Sequence, residues 1–221
     1  MTRQPFAFVV FLAAVMLVSQ PAHATFAASG QPCELMAGRG ANALLAECSG
    51  DMGGRGTSIK LFGQRPNRVS HIDLTYDGQT APFQVLKLNV QPLIDRETVA
   101  IMFSDFNFDG WPDLAVMRKV PEGPVTRYQY YLYSPPKKKF VPAPAMNDIT
   151  DPEIDPANRQ IRSYWQISPD LSGWNIWKWK GGVPVLTRRV EQRFDKARNC
   201  RQTTISYKAG QKTGQSVSAC Q

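Results

Sequence analysis

Asp105, Asn107, Asp109 and Asp113 stand within one short stretch, Asp105-Phe-Asn107-Phe-Asp109-Gly110-Trp111-Pro112-Asp113-Leu114, and each carries a compact oxygen-bearing side chain. Counted from Asp105 they are the first, third, fifth and ninth residues, and a glycine is the sixth. This is the register in which a loop wraps a hard divalent cation. Calcium takes about six to eight oxygens, and the first, third, fifth and ninth side chains with the seventh carbonyl supply most of them. The expected ligands are Asp105, Asn107, Asp109, the Trp111 carbonyl and Asp113, with Gly110 accepting the backbone angles the wrap demands. A polar turn that binds nothing also favours Asp, Asn and Gly, but it needs only one or two of them. The twelfth residue, where an EF-hand keeps a bidentate glutamate, is Val116. Affinity is therefore expected at the weak end of the range, about 10⁻⁴ to 10⁻³ M.

The flanks decide what holds this loop. Val99 to Phe103 before it and Leu114 to Met117 after it are short, apolar and β-prone, not amphipathic helices, so the unit reads as strand, calcium loop, strand. Period-2 patterns recur at Ser58 to Phe62, His71 to Tyr76, Val85 to Val90, Tyr128 to Tyr133, Ile161 to Ile167 and Asn175 to Trp179. Turn signals at Asp77-Gly78, Pro121 to Pro124, Pro135-Pro136, Ser172-Gly173 and Gly181-Gly182 separate them, and 17 prolines argue against long helices. The fold expected is all-β, antiparallel meander sheets in a single domain over residues 25–221. Only two short helical pieces are expected, around Ala41 to Cys48 and around Ala143 to Ile149. The tyrosines of Tyr128 to Tyr133 and the cluster Trp165, Trp174, Trp177 and Trp179 suit a core covered on both faces, or an aromatic binding surface. Between Ser168 and Trp174 a turn at the tip of a long hairpin presents Asp170 and Trp174, the partner-contact candidates.

Phe6 to Val18 is a thirteen-residue apolar run behind Arg3, followed by Ala22-His23-Ala24. That is the pattern of a signal peptide over residues 1–24, too short to span a bilayer as a permanent anchor. The expected mature chain is exported, to the periplasm. Its 197 residues suffice for one core, and loss of Arg3 takes the formal charge from +8 to +7. Such a charge favours acidic partners, whereas scattered basic residues without a recognisable module argue against nucleic acid. Lys137-Lys138-Lys139, after two prolines, reads as a solvated loop tip. Four cysteines in an oxidising compartment imply two bridges; of three connectivities, Cys33 with Cys48 and Cys200 with Cys220 is favoured because each pair is close in sequence near one end.

No catalytic motif stands out. His71 is the sole histidine of the mature chain and sits in an alternating strand; G-x-S-x-G is absent. An enzyme is not expected. The order of pieces between about residues 95 and 190 does resemble a known family. A strand, D-x-N-x-D-G-x-x-D-L, a second strand, Y-x-Y-Y-L-Y, a lysine-rich turn ending in Phe140, a proline-rich connection, a strand at Ile161 and a Trp/Tyr-rich hairpin follow one another. This resembles the periplasmic immunity proteins that protect bacteria against peptidoglycan-degrading effectors, best known from a bacterial-killing type IV secretion system. The resemblance implies a propeller-like all-β fold, a structural calcium ion on the five ligands named above, and a secreted lysozyme-like glycoside hydrolase as the protein partner, inhibited by a block of its cleft. The alternative is a calcium-dependent cell-wall or carbohydrate-binding module, which exposed coplanar aromatics would favour.

Overall fold

The computed structural model describes residues 33–92, 94, 101–119 and 122–220. The expected signal peptide lies outside them. The strands form three antiparallel meanders in chain order. The first sheet holds β1 (Cys33–Leu35), β2 (Ala43–Asp51), β3 (Gly56–Gln64), β4 (Arg68–Tyr76) and β5 (Gln84–Val90). The middle sheet holds β6 (Ile101–Ser104), β7 (Asp113–Met117), β8 (Tyr128–Ser134) and β9 (Lys139–Pro142). The third holds β10 (Pro152–Asp155), β11 (Gln160–Ser168), β12 (Leu171–Lys180), β13 (Val183–Phe194), β14 (Cys200–Lys208) and β15 (Gln211–Ala219).

The middle sheet explains the density of aromatics. Successive side chains of a strand point to opposite faces, and here both faces are buried. Leu114 and Val116 of β7, with Tyr131 and Tyr133 of β8, join Ile59, Leu61, Ile72 and Leu74 of the first sheet in one core. Ala115 and Met117, with Tyr128 and Tyr130, join Phe106, Met146, Ile149 and Ile161 in a second core that Trp177 and Trp179 flank. Consecutive sheets thus pack face to face through the middle one, as neighbouring blades of a propeller do. All four tyrosines of β8 are buried, and Tyr130 donates its hydroxyl to the Ile149 carbonyl at 2.8 Å. Buried aromatic hydroxyls require such a partner.

Two expectations are corrected. Ala41 to Cys48 is not helical: it enters β2, whose apolar residues Leu45 and Ala46 are buried against the core and whose partner is β3. Short apolar runs read equally well as helix or strand until pairing decides. Ser172-Gly173 is not a turn. The reversal occurs at 169–170, and Gly173 lies inside β12, where a side chain would run into the Val190 carbonyl and the Trp165 ring. The short helical piece near Ala143 is present as a single 3-10 turn, Pro144–Met146. Lys137 to Lys139 are exposed, and His71 is a half-buried strand residue stacked on Phe62 at 4.8 Å.

Both expected disulfides form. Cys33 and Cys48 face each other across β1 and β2, and Cys200 and Cys220 join the start of β14 to the residue after β15. No described cysteine is free. Two bridges suit an oxidising, extracytoplasmic compartment. Among the described residues no helix is long and apolar enough to cross a membrane.

Candidate metal centre

The Asp105-to-Asp113 stretch connects β6 to β7, so Ser104 pairs with Asp113 at the end of the ladder and the loop is closed by the sheet itself. Its wrap is made by side chains accepting backbone N–H groups. The Asp109 N–H is shared by Asp105 Oδ1 and Asn107 Oδ1, both at 3.0 Å; the Gly110 N–H reaches Asp105 Oδ2 at 2.8 Å, and the Trp111 N–H reaches Asp109 Oδ1 at 2.9 Å. Asn107 Nδ2 donates to Asp109 Oδ2 at 2.8 Å. Gly110 has φ 91°, the left-handed conformation for which the glycine was expected. Phe108 has φ 61°, a conformation a bulky L-residue holds only against strain of about 1–3 kcal/mol. Its buried ring, in the second core, offsets that strain.

Asp113 is the fully buried member. Its Oδ2 accepts the N–H groups of Phe106 at 2.9 Å and Asn107 at 3.3 Å, and its Oδ1 accepts that of Tyr133 at 2.8 Å. One carboxylate therefore ties the loop to the neighbouring strand β8. Carboxylates have about four lone-pair sites, so some acceptor capacity remains. Burial, then the charges of Asp109 and Asp105, push Asp113 up to about 8, against the pull of the Tyr133 and Phe106 N–H groups. Burial also raises Asp105, against the pull of the Gly110 and Asp109 N–H groups and with a further push from the Asp109 charge. Among the described residues no ion pair reaches Asp105, Asp109 or Asp113.

These oxygens could hold a hard cation. Three carboxylates in mutual repulsion without a basic partner, joined by an amide oxygen, are the donor chemistry of calcium. Their spacing is loose: among the described residues no three His, Cys, Asp or Glu side chains stand together as a ready cage. The set depends on Asn107 and the Trp111 carbonyl as much as on the acids.

No protein-family model matches the chain, and no curated protein sequence does. One solved structure aligns with it, described as a Xanthomonas type IV secretion system related protein. The TM-score is 0.54 at 18% identity, over 76% of this chain and 91% of that one. At this identity the likeness is one of fold.

Two residues that hold the loop from outside carry no local sequence signal. Trp179 of β12 donates its indole N–H to the Phe106 carbonyl at 2.5 Å, and Arg159, just before β11, donates to the Phe108 carbonyl at 2.9 Å. They lie 73 and 51 residues from their partners. Trp111 is 38% exposed, and its ring lies 5.4 Å from that of Tyr133 and against Gly53 of the β2–β3 turn. The proposed contact residues are placed apart from this loop, in the third sheet. Asp170 is exposed at the β11–β12 turn, 3.8 Å from Arg198, and its carbonyl accepts the Phe194 N–H. Trp174 is not at the tip: it pairs with Tyr164 inside the ladder, half-buried, with the Arg162 guanidinium 4.4 Å from its ring.

Proposed function

We propose that this is an exported, non-enzymatic immunity protein of the periplasm. It binds calcium at Asp105, Asn107, Asp109, the Trp111 carbonyl and Asp113, and inhibits a peptidoglycan-degrading, lysozyme-like hydrolase by blocking its active-site cleft. The observation that carries the reading is the loop: three carboxylates with no basic partner among the described residues, of which Asp105 and Asp109 accept the loop's own backbone N–H groups and Asp113 anchors it to the strand beside it. The metal is structural. When bound it neutralises the loop and fixes Trp111 at the surface, so that an ordered face meets the enzyme without an ordering cost. The secretion-system relation of the structural neighbour's description supports the setting, and the two disulfides support export.

The glycan-binding alternative draws less support. Its aromatic platform is missing from the third sheet: Trp165 and Trp174 are each covered by an arginine, and Trp177 donates its indole N–H to Ser163. The reading is tested by titrating calcium into chelator-stripped mature protein and then adding a lysozyme-like hydrolase encoded beside it. Saturable calcium heat with calcium-dependent loss of hydrolase activity is expected. Retention on purified peptidoglycan that chelator abolishes, with the hydrolase unaffected, would replace it by the glycan reading.

A further inference from the structure

At the end of β7 opposite the loop, a cleft of about 640 Å³ opens between the first and middle sheets, and a second hollow of about 420 Å³ adjoins it. The two share Asn89, Arg118 and Lys119, and among the described residues they are together lined by four basic side chains, those of Arg118, Lys119, Arg68 and Arg127, against one acid, Glu122. Glu122 is taken by Lys119. Arg68, Arg118 and Arg127 are exposed and make no ion pair among the described residues. Two arginines without an ion pair among the described residues, Arg118 and Arg127, thus line one concavity of the size that small ligands fill, about 300–1,000 Å³, and Arg68 lines the adjoining hollow.

The backbone under these cations is fixed. The Arg118 N–H donates to the Arg127 carbonyl at 2.9 Å, and the Arg118 carbonyl accepts the Gln91 N–H at 2.8 Å. Arg127 is also bridged to Thr150, beside the segment that carries Asn147. Asn147 lines the cleft, and its buried Oδ1 has no hydrogen-bond partner among the described residues. A buried amide oxygen without a donor is a standing cost, and a ligand hydroxyl would remove it.

We infer that this cleft binds a phosphorylated sugar, with Arg118 and Arg127 on the phosphate and Asn147 Oδ1 accepting a sugar hydroxyl. Guanidinium forks match phosphate oxygens in pairs, and a phosphate has oxygens enough for both. Among the described residues no aromatic ring lines the cleft. A neutral sugar would lack its stacking platform there, so the anion must be the anchor.

Calorimetric titration with glucose 1-phosphate, run in chelator at low ionic strength, tests this independently of the metal loop. Saturable binding is expected below about 1 mM, weakened about tenfold by Arg118→Gln and again by Arg127→Gln. Glucose and inorganic phosphate should each bind at least about tenfold more weakly than the sugar phosphate. All substitutions are at exposed positions, and near-ultraviolet circular dichroism checks that the fold is kept. Lys196→Gln, a charge-matched change in the exposed turn after β13, should leave binding alone. Absence of saturable heat in the folded protein, equal binding by inorganic phosphate, or equal weakening by Lys196→Gln would each overturn the assignment.

Discussion

Asp113→Ala separates what the loop owes to its own hydrogen bonds from what it would owe to a metal. The side chain is fully buried and accepts the N–H groups of Phe106 at 2.9 Å, Asn107 at 3.3 Å and Tyr133 at 2.8 Å. Truncation leaves two donors, those of Tyr133 and Asn107, without an acceptor, whereas the Phe106 N–H keeps the Ser104 carbonyl at 3.0 Å. Each such group costs about 1–3 kcal/mol, so the loss is about 2–6 kcal/mol before any cavity is counted. For a domain with about 5–15 kcal/mol of total stability that is a large fraction. With a urea slope of about 2 kcal/mol/M, the midpoint should fall by about 1–3 M. The assay is urea unfolding followed by tryptophan fluorescence, in chelator throughout so that metal plays no part. Asp109→Ala is the comparison: it removes an exposed loop acid whose bonds are all local, and its midpoint in chelator should move by less than about 0.5 M. A midpoint for Asp113→Ala within about 0.3 M of wild type would refute the reasoning, because the Tyr133 and Asn107 N–H groups would then have other acceptors.

Three further outcomes are expected. With about 100-fold excess of calcium over its Kd, the wild-type protein gains about 2.7 kcal/mol, which for a domain of this size raises Tm by about 5–10 °C in calorimetry; Asp109→Ala should show no such rise, and a rise of equal size would remove Asp109 from the ligand set. In chelator, stability should fall as pH rises from about 4 toward 8, because Asp113 is held above its ordinary 3.8, up to about 8, and keeps its proton in the folded state while the unfolded chain loses it. Asp113→Asn should lack that component, so identical Tm-against-pH slopes for the two proteins would contradict it. Replacing Cys200 and Cys220 with serine should free β14 and β15 locally, since β15 is exposed along its whole length. Hydrogen exchange should accelerate in β15 while β7 keeps its protection, and loss of protection in both would show the bridge to be a global staple.

The loop and the strands beside it could be read from the sequence because both signals are local. Oxygen donors at fixed spacing mark the first, and strict alternation or β-prone runs mark the second. Reading failed where partners in space decide. Ala43 to Asp51 is a strand because β1 and β3 pair with it on either side. Gly173 reads as a turn residue, yet it is small so that β11 and β13 can close over it. β13, β14 and β15 have weak patterns of their own and are defined by their ladders. Nothing at Arg159 or Trp179 announces contact with carbonyls in the loop, and only the stacking of the third sheet on the middle one brings them there.

The two ends of the middle sheet carry opposite charge, and this follows from a five-residue strand. β7 begins at buried Asp113, in a loop with two more carboxylates, and ends at Met117, immediately before Arg118 and Lys119. At about 3.4 Å per residue the acidic and basic sites are roughly 17 Å apart. That exceeds the screening length of about 8 Å at physiological salt. Neutralising one site should therefore leave the affinity of the other unchanged unless the strand itself shifts. β7 is buried along its whole length between two cores, and such packing resists gradual displacement. Independence of the two sites is thus the physical expectation. Calcium added to the glucose 1-phosphate titration should leave its Kd within about twofold. A tenfold shift would mean that the loop moves β7 as a unit, and the metal would then control the cleft as well as order Trp111.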